Sequence, residues 1–206
     1  MLVTPSLVGW WRFEGNANDS SGKGNNGTVY GASLDTGKFG RCYSFDGVDD
    51  YVDCGNKSSL DITDAITIEV WLRANDIITT NPDTGVVLKG PLIYGMTRDE
   101  RSGSNNMLMT YINNGGNNLV TTIKLEEWQH IVFAYDKNLV SKQWKIYVNG
   151  NLKNQRDFTQ SIGITTAALH IGENASQYFH GLIDEVRMYN RALSAAEISA
   201  SYNATK

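Results

Sequence analysis

Glu69, Trp71 and Arg73 alternate along segment 67–73, so an extended strand would present all three on one face. An acid, an indole and a guanidinium side by side suit sugar recognition: sugar C–H bonds stack on the ring, and charged groups read hydroxyls. His130, Glu185 and Arg187 lie on other strand-like segments and extend this candidate set. A second set is the loop-rich stretch 94–118, with Tyr94, Arg98, Asn105 and Tyr111 as its main candidates, beside Arg101, Asn106, Asn113 and Asn114. Gln177 and Tyr178 form a third. Each group also has a plain structural role open to it. Trp71 is equally a core residue, the Asn-rich run a hairpin loop, and Glu69 with Arg73 a cross-strand ion pair of little energetic weight.

Catalytic arrangements are sparse. Glycoside hydrolysis needs two carboxyls about 5–5.5 Å apart for retention or roughly 6.5–9.5 Å for inversion. Glu69 stands alone on its strand, and the adjacent Asp184 and Glu185 would point to opposite faces. A pair built from distant strands, such as Glu69 with Glu185, is the remaining catalytic alternative. His130, His170 and His180 are accompanied by no Gly-x-Ser-x-Gly elbow, and they read as strand residues with satisfied hydrogen bonds. No Walker-type phosphate loop, EF-hand loop or zinc-type cysteine spacing is present. The chain is expected not to be an enzyme.

The elements that would carry these residues are strands. The 206 residues include 20 Gly but only 3 Pro, so chain reversals must rest on Gly and the abundant Asn. Alternation marks strands near 7–13, 27–30, 41–46, 50–54, 67–73, 85–89, 92–97, 107–112, 119–123, 128–135, 144–148, 168–172 and 182–189. Asn149-Gly150 is a strong hairpin signal. Only 195–202 reads as helix, with Ser194 and Glu197 spaced as a capping box. The economical architecture is all-β: one domain over 1–206, two packed antiparallel sheets and one short C-terminal helix. The first and last strands are expected near each other. A net charge of −4 argues against nucleic acid as a partner. No apolar run reaches the roughly 20 residues of a membrane span, and no signal peptide is visible in this chain.

Cys42 and Cys54 are the only cysteines. If 42–45 and 51–54 formed a hairpin with Phe45 opposite Tyr51, Cys42 would face Cys54 within disulfide reach. A disulfide is the favoured expectation and would imply an oxidising compartment or a hyperthermophile cytoplasm. Two buried free thiols are the alternative.

Five stretches in register give the chain a family resemblance. They are Leu7-Val8-Gly9-Trp10-Trp11-Arg12-Phe13-Glu14-Gly15, the 19–28 loop, Phe45-Asp46-Gly47-Val48-Asp49-Asp50-Tyr51-Val52, Tyr147-Val148-Asn149-Gly150, and Gly181-Leu182-Ile183-Asp184-Glu185-Val186-Arg187 running on to Ser194. Together they resemble the laminin-G-like (LamG-like) jelly-roll modules of the concanavalin A-like lectin/glucanase superfamily. The resemblance implies a jelly-roll sandwich. It also implies one structural calcium ion (Ca2+), at positions matching Asp19, Asn25 and Asp184. The 19–28 loop is rich in oxygen donors, as calcium requires. Asp184 alternates with Leu182, Val186 and Met188, so it reads as a carboxylate on a core face that must be paired, hydrogen-bonded or metal-bound. The alternative is that Asp184 accepts backbone N–H bonds and Asp19 starts a turn. The expected function is a non-catalytic carbohydrate-binding, lectin-like module of a larger extracellular or cell-surface protein, with polysaccharide or glycan as partner. The rival is an adhesion or spacer module that binds a cell-surface protein, and a glycosidase or polysaccharide lyase stands behind both.

Overall fold

The computed structural model describes residues 6–75, 83–99, 106–113 and 118–205. Strands dominate, as the alternation requires. The first six are β1 (Leu7–Trp11), β2 (Thr28–Tyr30), β3 (Ser33–Thr36), β4 (Arg41–Asp46), β5 (Tyr51–Asp53) and β6 (Ala65–Ala74). Then follow β7 (Thr84–Lys89), β8 (Tyr94–Arg98), β9 (Met107–Ile112), β10 (Asn118–Thr122), β11 (Gln129–Asp136) and β12 (Trp144–Val148). The last are β13 (Asn151–Arg156), β14 (Leu169–Ile171), β15 (Glu173–Asn174), β16 (Gln177–Tyr178) and β17 (His180–Tyr189), before the helix α1 (Ala195–Ala204).

Two sheets form. Sheet I has the order β13-β12-β11-β6-β17-β4-β3, with β1 also paired to β17. Sheet II has the order β10-β9-β8-β7-β14-β5-β2, with the β15–β16 hairpin at β7. Their facing sides interdigitate in one core. Ile66, Ile68, Val70 and Leu72 of β6 and Phe133 of β11 meet Val52, Met96, Leu169 and Ile171 from the opposite sheet. This is the two-sheet antiparallel sandwich expected, and its first and last strands are neighbours.

Local signals are realised where the chemistry is local. Asn149 and Gly150 take φ of 51° and 73° and close the β12–β13 hairpin. Ser194 caps α1, with its hydroxyl accepting from Glu197 N while the Glu197 carboxylate accepts from Ser194 N.

Two expectations are overturned. The cysteine hairpin does not exist. Strand β4 pairs with β17 and β3 in sheet I, whereas β5 pairs with β14 and β2 in sheet II. The turn between them carries the chain from one sheet to the other, so Cys42 and Cys54 are free, buried thiols. The alternation of β17 is also interrupted. A bulge falls between Asp184 and Arg187, with Glu185 at φ 50°. Ile183 faces the core before the bulge, and Val186 and Met188 face it after. Asp184 therefore points to the outer side of sheet I, opposite Trp71.

Candidate functional site

The outer side of sheet I gathers most of the first candidate set, but beneath a roof. Glu69, Trp71, His130 and Glu185 are all buried. Helix α1 crosses above them. Ile198 packs with Val132, Tyr147 and Leu193, and the Tyr202 ring lies 6.0 Å from both Trp71 and His130. His130 Nε2 sits 2.7 Å from Glu69 Oε1, and Ser201 Oγ of the helix donates to the same oxygen. Burial pushes the Glu69 carboxyl up, but His130, Arg187 and Ser201 outweigh it and hold it below the usual range. Glu185 accepts from Trp10 Nε1 at 2.9 Å and pairs with Arg187, whose guanidinium lies 5.0 Å from the Trp10 ring. Arg73 pairs with Glu126, not with Glu69. These residues form a network that seats a helix, with Trp71 Nε1 and His130 Nδ1 buried without partners, so the part of this face expected to be open to sugar is covered.

The second set is dispersed. Tyr94 is a core residue whose hydroxyl donates to Leu60 O at 2.7 Å. Arg98 is buried on the same side of β8 as Tyr94 and Met96. Tyr111 faces outward on sheet II and donates to Asp83 Oδ1 at 2.8 Å. Asn113 is occupied with Ser161 O and Gly163 N. Asn105, with Arg101 and Asn114, lies outside the described residues.

The calcium set does not assemble with free oxygens. Both Asp19 oxygens are taken. Oδ1 accepts from Trp10 N and Ser21 N, and Oδ2 from Ser21 Oγ and Asn25 N, which fills the acceptor capacity of a carboxylate. The Asn25 side chain is fully buried; it donates to Val8 O and accepts from Ser59 Oγ. Asp184 Oδ2 accepts from Phe39 N at 2.9 Å, while its buried Oδ1 has no partner. Burial pushes its pKa up to about 7, against the Phe39 N–H and with help from Glu185. One calcium ion held jointly by these three residues does not fit this geometry. Among the described residues, the acidic group whose oxygens come within 4.8 Å of one another is Asp46, Asp49 and Asp50.

Recognition chemistry reaches solvent at the β2–β5–β14 end of the outer side of sheet II, whereas Leu88, Gly95 and Tyr111 further along are buried. The strands of this sheet align one cross-strand row: Thr28, Asp53, His170, Leu88, Gly95, Tyr111 and Asn118 are successive register partners. Beside it Tyr30 stands opposite Tyr51. Their rings stack at 4.6 Å with an 11° interplanar angle, and Tyr30 is 45% exposed. The Tyr51 ring also meets His170 at 5.2 Å and Tyr178 at 6.4 Å. His170 Nδ1 lies 2.5 Å from Glu173 Oε2, and its Nε2 lies 3.9 Å from Asp53 Oδ1. The Glu173 hydrogen bond holds the imidazole above its ordinary pKa despite partial burial. Burial raises Glu173, but the same bond and the Ser176 N–H bring it below the usual carboxylate range. A depression of about 200 Å³ opens next to the row, lined by Leu88, Pro91, His170, Glu173 and Asn174.

The β15–β16 hairpin fixes one side of this site. Its two turn residues, Ala175 and Ser176, both have positive φ, of 48° and 66°. Such a turn is ordinarily built from Asn and Gly. Here it is held by Ser176 N donating to Glu173 Oε1. The strained turn sets Glu173 beside His170 and Tyr178 beside Tyr51.

Sequence reasoning named Tyr178 but passed over Tyr30, Tyr51, Asp53 and Glu173, and it read His170 as a plain strand residue. The usable signal was alternation. In Tyr51-Val52-Asp53 and Leu169-His170-Ile171 the polar and aromatic positions are the outward ones. Which strands lie side by side was not readable from alternation.

The two-sheet sandwich with a tyrosine cluster beside one outer row has its counterpart among known folds. The profile of the Laminin_G_3 family, within the concanavalin A-like lectin/glucanases superfamily, matches residues 46–199. The chain belongs to that family. No curated relative matches the sequence. Among solved structures, domain 4 of an extracellular arabinanase from Geobacillus stearothermophilus, solved with arabinotriose, superposes with a TM-score of 0.74 at 20% identity, covering 95% of this chain and 97% of that one. Botulinum neurotoxin type C, whose passage into cells depends on two ganglioside molecules, gives 0.76 at 15% identity, covering 98% of this chain and 52% of that one. The binding domain of botulinum neurotoxin DC, solved with rat synaptotagmin II, gives 0.74 at 14% identity over 100% of this chain and 53% of that one. The chain thus spans about half the length of the neurotoxin structures. At these identities the likeness is one of fold. No helix among the described residues is long and apolar enough to cross a membrane.

Proposed function

We propose that this chain is a non-catalytic glycan-binding module that works outside the cell, holding a larger protein against a saccharide. The observation that carries the reading is the partly exposed Tyr30–Tyr51–Tyr178–His170 cluster on the outer side of sheet II. Aromatic rings offer faces and edges to sugar C–H groups, while Asp53, Glu173 and the tyrosine hydroxyls supply acceptors and donors around them. The neighbours' ligands, arabinotriose and gangliosides, support a saccharide as partner. The roofed Glu69 and the hydrogen-bonded Glu185 support recognition without turnover.

Affinity electrophoresis on a panel of plant and bacterial polysaccharides tests this. Retardation by at least one polysaccharide is expected, with Tyr30→Ala and Tyr51→Ala each weakening it at least tenfold. Stacking of one sugar ring is worth a few kcal/mol, and about 1.4 kcal/mol is tenfold. Free migration on every gel, together with capture of a protein receptor that both variants still bind, would favour an adhesion module instead.

A further inference from the structure

We infer that the site on sheet II selects saccharides that carry protonated amino groups, as deacetylated amino-sugar chains do. This rests on the glycan-binding reading and names the ligand class within it.

The charge around the tyrosine cluster and its neighbouring row is one-sided. Asp53 lies in the row and Glu173 borders it. The turn that delivers Tyr51 adds Asp46, Asp49 and Asp50, with Asp46 and Asp49 exposed. Among the cations, His170 is already matched by Glu173 at 2.5 Å. Lys89 is the one lysine or arginine on β2, β5, β7, β14, β15 and β16, and it is turned away. It is 1% exposed, with its ammonium on Ala167 O at 2.8 Å and on Asn56. Lys57, on the segment after β5, is held by Gly24 O at 2.5 Å. On these six strands no lysine or arginine reaches the tyrosine cluster to meet a uronate, sulfate or sialate; beyond them, Lys57 and Arg156 donate to the carbonyls of Gly24 and Asn118.

Asp53 is the group positioned to act. Its Oδ1 accepts from Gly55 N at 2.8 Å, and no hydrogen bond falls on Oδ2 among the described residues. The side chain is 35% exposed. A carboxylate oxygen without a donor, beside stacked tyrosine rings, matches an ammonium substituent on a sugar laid against those rings. A charge-assisted bond of this kind is roughly twice as strong as a neutral one. An acidic sugar in the same place would meet the carboxylates with nothing to offset them.

Titration calorimetry of the whole chain decides it, with a short glucosamine oligomer, its N-acetylated counterpart and an oligogalacturonate as probes. The glucosamine oligomer is expected to bind roughly three- to tenfold tighter than the acetylated one, a margin that shrinks in high salt, and the galacturonate weakest. Asp53→Asn, an isosteric change at a partly exposed position, should erase the margin while leaving binding of the acetylated oligomer in place. Tyr51→Ala leaves the net charge unchanged and should remove binding of both. Equal or tighter binding of the acetylated or acidic oligomer overturns the inference, as does a margin that survives Asp53→Asn. A margin that survives Tyr51→Ala also overturns it, since that is non-specific attraction to an acidic protein. Binding without an amine preference leaves the glycan-binding reading standing, whereas no binding of any saccharide defeats both.

Discussion

Two carboxylates of this protein have opposite fates because their surroundings differ. Glu173 finds an imidazole, and Asp184 finds mostly apolar cover. Glu173→Gln removes the principal cause of the raised His170 pKa, so the imidazole should titrate back towards its ordinary 6.5, followed by the NMR shifts of its ring protons. The pair's contribution to stability follows from both directions of shift. The raised histidine contributes fully below 6.5 and loses its share as pH climbs through its folded value. The lowered glutamate contributes fully above 4.5 and loses its share as pH falls through its folded value. The bond is therefore complete between about pH 4.5 and 6.5, and the variant should lose most stability in that window. Asp184 behaves the other way. Its acid is raised from 3.8 to about 7, so the folded chain holds that proton more tightly than the unfolded one. Stability should fall as pH rises across this interval. Asp184→Asn keeps an acceptor for the Phe39 N–H and should remove the fall, gaining up to about 4 kcal/mol above pH 7 as read by urea denaturation. The same melts report on metal. Curves with and without chelator should superimpose, and a calcium-dependent rise lost in Asp184→Asn would place an ion on this carboxylate.

The C-terminal helix is a short element that covers the middle of one face, over β6, β11 and β12. Ser194→Ala deletes the side-chain half of the capping box and should cost about 1 kcal/mol. It should also loosen Tyr202 over Trp71, seen as a change in tryptophan emission well below the melting temperature. The capping box and the Asn149-Gly150 turn were legible in the sequence because each is specified within a few residues. The bulge in β17 was not. Unbroken alternation put Asp184 on the core side with Val186, but Glu185 adopts a left-handed conformation and shifts the parity by one residue. Nothing in Leu182-Ile183-Asp184-Glu185-Val186 marks that shift. Its cause is non-local, since Glu185 is tied to Trp10 and Arg187 while Asp184 is drawn to Phe39 N. The roof over Glu69 and Trp71 escaped sequence reasoning for a similar reason. Their outward facing was legible, but the docking of a helix more than a hundred residues further along the chain was not.

At the scale of the molecule, the two-sheet layout could be read from composition and period, while the short strands β3, β13, β15 and β16 and the assignment of each strand to a sheet could not. The cysteines show the consequence. Local pairing of β4 with β5 would have joined Cys42 to Cys54, whereas the sandwich places those strands in opposite sheets. Both thiols should stay unreactive towards a thiol reagent in the native state and react fully on unfolding, with burial pushing Cys42 up to about 12. Reductant should leave the melting temperature unchanged, and a drop would reveal a bond between them. The arrangement of β1 and β17 has one more consequence. Ser6 O accepts from Asn190 N, and α1 lies over sheet I, so both ends of the described chain depart from the layer opposite the tyrosines. A tether attached at either end would leave the tyrosine side of sheet II unobstructed, with the attachment point on the opposite layer.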